Sequence, residues 1–144
     1  MKTAVDTNVF VALFSGDADA SAAAQAALEE ARAGGPLGIS LAVYAELVAG
    51  RDEAFVERFL SEKDIEVDWD QNREVWSTAG VRYGQYAQAR RKQKGDPGPR
   101  RILADFLIGA HAQRLAGALL TSDSTIYGTY FPELKVLTPE GATG

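Results

Sequence analysis

The chain has 144 residues, 46% of them hydrophobic and 24% charged, with no Cys and a formal net charge of -5. That length suits one ordinary domain with a real core, and the composition excludes a chain disordered throughout. The absence of Cys excludes disulfides, thiolate metal sites and a Cys nucleophile, so any metal must be held by oxygen or by the single histidine, His111.

The elements follow in chain order. Thr3 to Val5 is a short apolar strand ending at Asp6, and Thr7 to Phe14 can form a short helix. Ala18 to Ala33 is a strong helix by propensity, stopped by Gly34-Gly35-Pro36. Leu37 to Ile39 is a brief strand. Ser40 is placed to cap a helix over Leu41 to Ala49, which Gly50 ends. Glu53 to Glu62 is helical, with Phe55, Val56, Phe59 and Leu60 on one side. Ile65 to Trp69 alternates as a strand does, and Asn72 to Lys92 is helical. Lys94 to Pro99 must be a loop. Ile102 to Ala116 reads as a buried helix, Ala118 to Thr121 as a strand, Ser124 to Tyr130 as a short helix and Lys135 to Leu137 as the last strand. One domain over residues 1–138 and a loose tail from Pro139 to Gly144 are expected.

Strands and helices alternate, which predicts an α/β domain with a mainly parallel central sheet. Ligand and catalytic groups of such sheets gather at the carboxyl ends of the strands. No apolar run reaches membrane-spanning length. The N-terminus carries no long apolar segment with a cleavage site, so a cytoplasmic protein with no membrane partner is expected.

The net negative charge, taken alone, opposes nucleic-acid binding, but the location of charge matters more than its sum. Arg82, Arg90, Arg91, Lys92, Lys94, Arg100 and Arg101 fall in one stretch opposed only by Asp96. Most charge runs are solvated helix ends. Its place just before the Ile102 helix makes the stretch from Arg90 to Arg101 a candidate phosphate-binding rim.

Four carboxylates stand out. Asp6 and Asp123 each end a strand just before a helix. Capping explains either one alone, whereas two on one sheet edge point toward a site. Glu46 is the only charge in Leu41 to Ala49, and Asp105 the only one in Ile102 to Ala110. Charged residues are rarely buried without partners, although a helix with one wet edge would explain either. Together the four need a positive partner, because like charges at short range repel. A hard divalent cation such as Mg²⁺ or Mn²⁺ suits carboxylate oxygens. It also suits phosphodiester chemistry better than peptide hydrolysis. Asn8, Thr7 and Thr121 are near enough to orient Asp6, with local capping and turn bonding as their plainer reading. His111 lies six residues after Asp105, about 240° past a full helical turn, so it reads as a packed histidine rather than a ligand. The five tyrosines could stack on bases but are more often core or rim.

These residues resemble a known family. Val5-Asp6-Thr7-Asn8-Val9-Phe10 resembles the opening motif of PIN domains, and Val43-Tyr44-Ala45-Glu46-Leu47 their second acidic motif. Ile102 to Ala112 is similar to the third as it appears in VapC-type toxins, and Leu119-Leu120-Thr121-Ser122-Asp123 to the fourth. Tyr130 to Leu137 resembles the end of such chains. The resemblance spans residues 1 to about 138, with the motifs in the family's order. It implies a Rossmann-like PIN fold, a three-layer sandwich, and Mg²⁺- or Mn²⁺-dependent endoribonuclease activity. Asp6 and Asp105 match the metal ligands best, with Glu46 and Asp123 in an outer shell or at a second ion. It also implies an RNA substrate, a cognate VapB-like antitoxin, a homodimer, and operator DNA bound only through the antitoxin. One departure is that Ser122 and Ser124 flank the fourth acid where many relatives carry basic residues, which implies weaker phosphate contacts there, for which the Arg90 to Arg101 stretch could compensate.

Three other functions are weighed. A phosphatase of the haloacid dehalogenase type wants a second Asp two positions after the first, and position 8 is Asn. A phosphoacceptor signalling domain wants a suitably placed Lys, which the sequence does not offer. A non-catalytic PIN-like module that binds RNA or a partner is the strongest alternative, and metal titration separates it from the enzyme.

Overall fold

The computed structural model describes residues 1–93, 95 and 101–139. Lys94 and Arg100, two of the candidate phosphate contacts, and the tail beyond Pro139 lie outside the described residues. In chain order the elements are β1 (Thr3–Val5), α1 (Thr7–Leu13), α2 (Ala18–Ala33), β2 (Leu37–Ile39), α3 (Leu41–Gly50) and α4 (Glu53–Glu62). They continue with β3 (Ile65–Val67), α5 (Arg73–Lys92), α6 (Leu103–Leu115), β4 (Ala118–Leu120), α7 (Ser124–Tyr130) and β5 (Lys135–Leu137).

Short polar side chains start the helices where the sequence offers them. Asp17, Ser40, Asp52 and Asn72 each accept a backbone N–H of the first turn of α2, α3, α4 and α5, which satisfies donors that a helix start otherwise leaves orphaned. The strands are only three residues long. Those of β1, β2 and β4 are buried throughout, as expected of a parallel sheet covered on both faces.

The sheet runs β3-β2-β1-β4-β5, with every neighbouring pair parallel. Thr3 is in register with Leu37 on one side and with Ala118 on the other. From β1 the chain first moves outward to β2 and β3, then returns to the other side of β1 for β4 and β5. The two directions of crossover put helices on both faces of the sheet, with α1 packed on α2 and α3, and α5 on α6, giving three layers. The order reverses between β1 and β4, and the crevice at the carboxyl ends of those two strands is where such sheets bind ligands.

Two expectations change. The third strand stops at Val67 rather than Trp69, because the Asp68 N–H makes the last ladder bond, to the Ile39 carbonyl (3.1 Å), and Trp69 then bonds back to Val67 (3.0 Å). The helix around Asp105 is buried only from Phe106 onward; Ile102 and Leu103 at its start are exposed. Among the described residues no helix is long and apolar enough to cross a membrane.

Candidate active site

Asp6 leaves β1 at the switch point with only 6% of its surface exposed. Its backbone N–H donates to the Leu120 carbonyl at 2.9 Å, which locks the end of β1 to the end of β4. One carboxylate oxygen, Oδ1, accepts the Thr7 N–H at 2.7 Å and so caps α1. The other, Oδ2, accepts the Thr121 hydroxyl at 2.8 Å, the Asn8 amide at 3.3 Å and the Tyr127 hydroxyl at 3.3 Å. Asn8 also donates to Thr121 Oγ1 (3.2 Å) and accepts the Ser122 N–H (3.1 Å), while the Asp123 N–H donates to Thr121 Oγ1 (3.0 Å). The loop after β4 is thus wrapped around Asp6. Thr121 and Asn8 do more than cap locally; they join residues more than 110 positions apart.

Burial pushes the Asp6 carboxyl up to about 6, against the pull of the Thr121 and Thr7 bonds, and the negative charge of Asp105 adds to the rise. Burial also pushes the Tyr127 phenol up, reinforced by the charges of Asp6, Asp105 and Asp123. Tyr127 thus lies in the field of three of the four acids and bonds one of them, Asp6. By sequence Tyr127 is only one of five tyrosines able to stack on bases, and its bond to Asp6 has no signal there beyond its place one helical turn after Asp123.

The other three acids are engaged. Asp105 is half-buried in the first turn of α6, and its Oδ2 accepts the Ile102 N–H at 3.2 Å. Asp123 makes no cap bond to α7; its Oδ2 pairs instead with the guanidinium of Arg101. The Arg101 N–H is fixed by the Tyr86 hydroxyl at 2.5 Å. Glu46 is exposed, not buried as its apolar neighbours imply. Helix α3 buries only the stripe through Val43 and Leu47, and Ala45 and Ala49 face solvent with Glu46. The Glu46 carboxylate accepts the Thr7 hydroxyl at 2.6 Å, so it reaches Asp6 through one intervening residue.

Among the described residues no three acids form a ready metal cage. The donors nonetheless fit a hard divalent cation. They are all oxygen, and among the described residues no Lys, Arg or His lies within ion-pair distance of Asp6 or Asp105. A buried carboxylate beside a second one calls for an external positive charge.

His111 is packed, as expected, and stands apart from the acids. Its Nε2 meets Asp68 Oδ2 at 2.6 Å, and Lys2 Nζ donates to both Asp68 oxygens at 2.7 and 2.9 Å. Burial lowers the His111 pKa despite Asp68, so the ring is neutral and donates Nε2–H. Asp68 stays below the usual carboxylate range because the bonds from Lys2 and His111 outweigh its burial.

The basic stretch is less unopposed than its sequence suggests. Arg82 forms a two-pronged pair with Glu133, at 3.0 and 2.8 Å, and also donates to the Tyr130 carbonyl at 2.8 Å. Arg101 is paired with Asp123. Arg90 stands 6.0 Å from the centre of the Tyr86 ring, and Arg91 and Lys92 are exposed at the end of α5.

An all-parallel five-stranded sheet, with carboxylates at the point where its strand order reverses, defines the class of domain. The PIN domain family model matches residues 3–132. The chain belongs to the PIN domain family, and its fold is the PIN fold. Among solved structures it is similar to VapBC-1 from nontypeable Haemophilus influenzae, with 21% identity, 97% of this chain and 99% of that chain covered, and a TM-score of 0.63. It is similar to VapBC2 from Rickettsia felis, solved bound to a DNA fragment from their promoter, with 20% identity, 96% and 98% covered, and a TM-score of 0.62. A toxin–antitoxin complex from Klebsiella pneumoniae is also similar, with 22% identity, 95% and 97% covered, and a TM-score of 0.60. No curated protein matches the chain.

Proposed function

We propose that this chain is a metal-dependent endoribonuclease that hydrolyses RNA phosphodiester bonds as the VapC-type toxin of a toxin–antitoxin pair. The observation that carries the reading is Asp6, a nearly buried carboxylate at the switch point, raised to about 6 and facing the charge of Asp105. Asp6 and Asp105 would hold Mg²⁺ or Mn²⁺, with Glu46 and Asp123 in an outer shell or at a second ion. When bound, such an ion stabilises negative charge on the phosphodiester and eases deprotonation of the attacking water. The chain's own part is positional. Thr121, Asn8 and the Thr7 N–H fix both Asp6 oxygens, and Tyr127 closes the floor beneath them. Thr7 ties exposed Glu46 to the same edge. Arg90, Arg91, Lys92, Lys94, Arg100 and Arg101 would contact the RNA phosphates.

The partners follow from the same reading. One of the similar structures is a toxin–antitoxin complex by description and the other two are VapBC structures, which supports a VapB-like antitoxin as partner. Operator DNA would be bound only through it, in the cytoplasm. Exposed Trp76 and Val81 on α5 support a homodimer. A single domain over residues 1–138 remains part of the proposal.

The test is to incubate antitoxin-free protein with total cellular RNA, with Mg²⁺ or Mn²⁺ and then a chelator, beside Asp105→Asn. Discrete cuts that need both the metal and Asp105 are expected, and a fully active Asp105→Asn protein overturns the assignment. A binding-only module is the second reading. It is favoured by the engagement of Asp105 with Ile102 and of Asp123 with Arg101. Titration separates the two, since a binding-only module need take up no divalent ion at Asp6 and Asp105.

A further inference from the structure

Arg101 is the residue whose position the nuclease reading leaves unexplained. It enters α6 from the basic stretch, yet its guanidinium is turned onto Asp123. The chain around it is held on two sides, the Ile102 N–H by Asp105 and the Arg101 N–H by the Tyr86 hydroxyl. Two of the four carboxylates are thus occupied by two adjacent residues of their own chain. A cation that draws on Asp123 Oδ2 competes with Arg101 for it. Beside the pair opens a cleft of about 270 Å³, lined by Arg101, Arg90, Thr125, Thr129 and Tyr130 among others. Its guanidiniums, hydroxyls and aromatic ring suit a nucleotide, with phosphate on the arginines and a base against the ring.

We propose that Arg101 is an exchangeable counter-ion. In the metal-free protein it neutralises Asp123, and when a divalent ion draws Asp123 away, it turns into this cleft and binds the RNA phosphate next to the one that is cut. The proposal rests on the metal-dependent nuclease reading and gives that site an order of events: metal first, then a phosphate subsite. It also accounts for a basic residue placed against an acid that the reaction needs. Two charges that cancel before substrate arrives avoid the repulsion of bare carboxylates. Once the metal supplies that positive charge, the guanidinium becomes available to the substrate.

The experiment measures Mn²⁺ binding and RNA binding separately, on the full chain and without turnover. Mn²⁺ is titrated into wild type, Arg101→Gln and Arg101→Lys, each checked for native circular dichroism. Binding of a cleavage-resistant 2′-O-methyl oligoribonucleotide is then measured with Mn²⁺ present over a range of salt. Removing a competing cation should tighten Mn²⁺ binding by about tenfold in Arg101→Gln, a coupling of ordinary size. Arg101→Lys should stay near wild type. The same Arg101→Gln protein should bind the oligoribonucleotide more weakly, and its salt slope should fall by roughly one phosphate contact. Unchanged or weaker Mn²⁺ binding in Arg101→Gln, beside a wild type that binds, overturns the exchange and makes the pair a permanent structural one, leaving the metal reading intact. If neither protein binds Mn²⁺, the metal reading falls and the exchange falls with it.

Discussion

Asp6 holds a charge where little solvent reaches it, and the cost is measurable through pH. Its carboxyl moves from 3.8 unfolded to about 6 folded. Between those values the folded chain binds more protons than the unfolded one, so stability falls as pH rises from 4 to 6. A shift of that size corresponds to about 3 kcal/mol. Measured by urea unfolding, wild type should therefore gain on Asp6→Asn by up to about 3 kcal/mol between pH 7 and pH 4. A constant difference across that range would mean that Asp6 is not buried as described. Thr121 tests the support of the same carboxylate. Its hydroxyl serves Asp6, Asn8 and the Asp123 N–H together. Thr121→Val keeps the shape and removes those bonds, so it should cost about 1–3 kcal/mol of stability. It should also weaken Mn²⁺ binding by about 10–100-fold. Calorimetry reads both. The motif Leu119 to Asp123 brings Thr121 to notice in the sequence, but only the contact between the ends of β1 and β4 makes it a partner of Asp6.

Two helices show how the same residue type carries opposite consequences. In α6, a Cβ added at Gly109 would meet the Phe131 ring at 2.5 Å. Phe131 is fully buried and lies beneath the Arg82 guanidinium, 5.2 Å from its ring centre, so it has nowhere to move. Gly109→Ala should cost about 1–3 kcal/mol through overpacking. In α5, Gly80 is exposed and an added Cβ meets nothing within 4 Å. Gly80→Ala should stabilise by about 1 kcal/mol through helix propensity and reduced unfolded-state freedom. Urea midpoints of the two variants should move in opposite directions, and a neutral Gly109→Ala would contradict the close approach of α6 to the end of α7. Both helices are evident from sequence pattern alone. Which glycine is crowded is not, because the crowding side chain comes from another element.

Across the whole molecule, the Lys2–Asp68–His111 network links the start of β1, the end of β3 and α6. The Lys2 side chain lies across β2 at Gly38, where an added Cβ would come within 2.5 Å of Lys2 Cε. His111 is neutral when folded, with its pKa below the usual 6.5. The unfolded chain therefore binds the proton more strongly, so the stabilisation is present above pH 6.5 and is lost as pH falls from there toward the folded pKa. His111→Gln should lack this acid-side loss when its unfolding free energy is followed against pH beside wild type. Asp6 acts in the opposite sense over part of the same range, so each effect is read against its own variant.

Sequence by itself determined the alternation of strands and helices, most of their boundaries and the four acids. These rest on local causes: capping side chains, apolar periodicity, glycine stops and lone charges in apolar runs. Ser40 caps α3 as its sequence position implies, and Asp17, Asp52 and Asn72 cap α2, α4 and α5 by the same local bond. Only the tertiary structure decided which acids are buried and what each one touches. Glu46 sits among apolar residues in sequence yet faces solvent, because burial depends on which side of α3 meets the core. Asp123 and Arg101 are 22 positions apart and become partners only when α6 and β4 pack side by side. Strand order, set by the return of the chain to the far side of β1, brings Asp6 to the switch point beside the loop that holds it. Such order is a property of long-range pairing, which no short stretch of residues encodes.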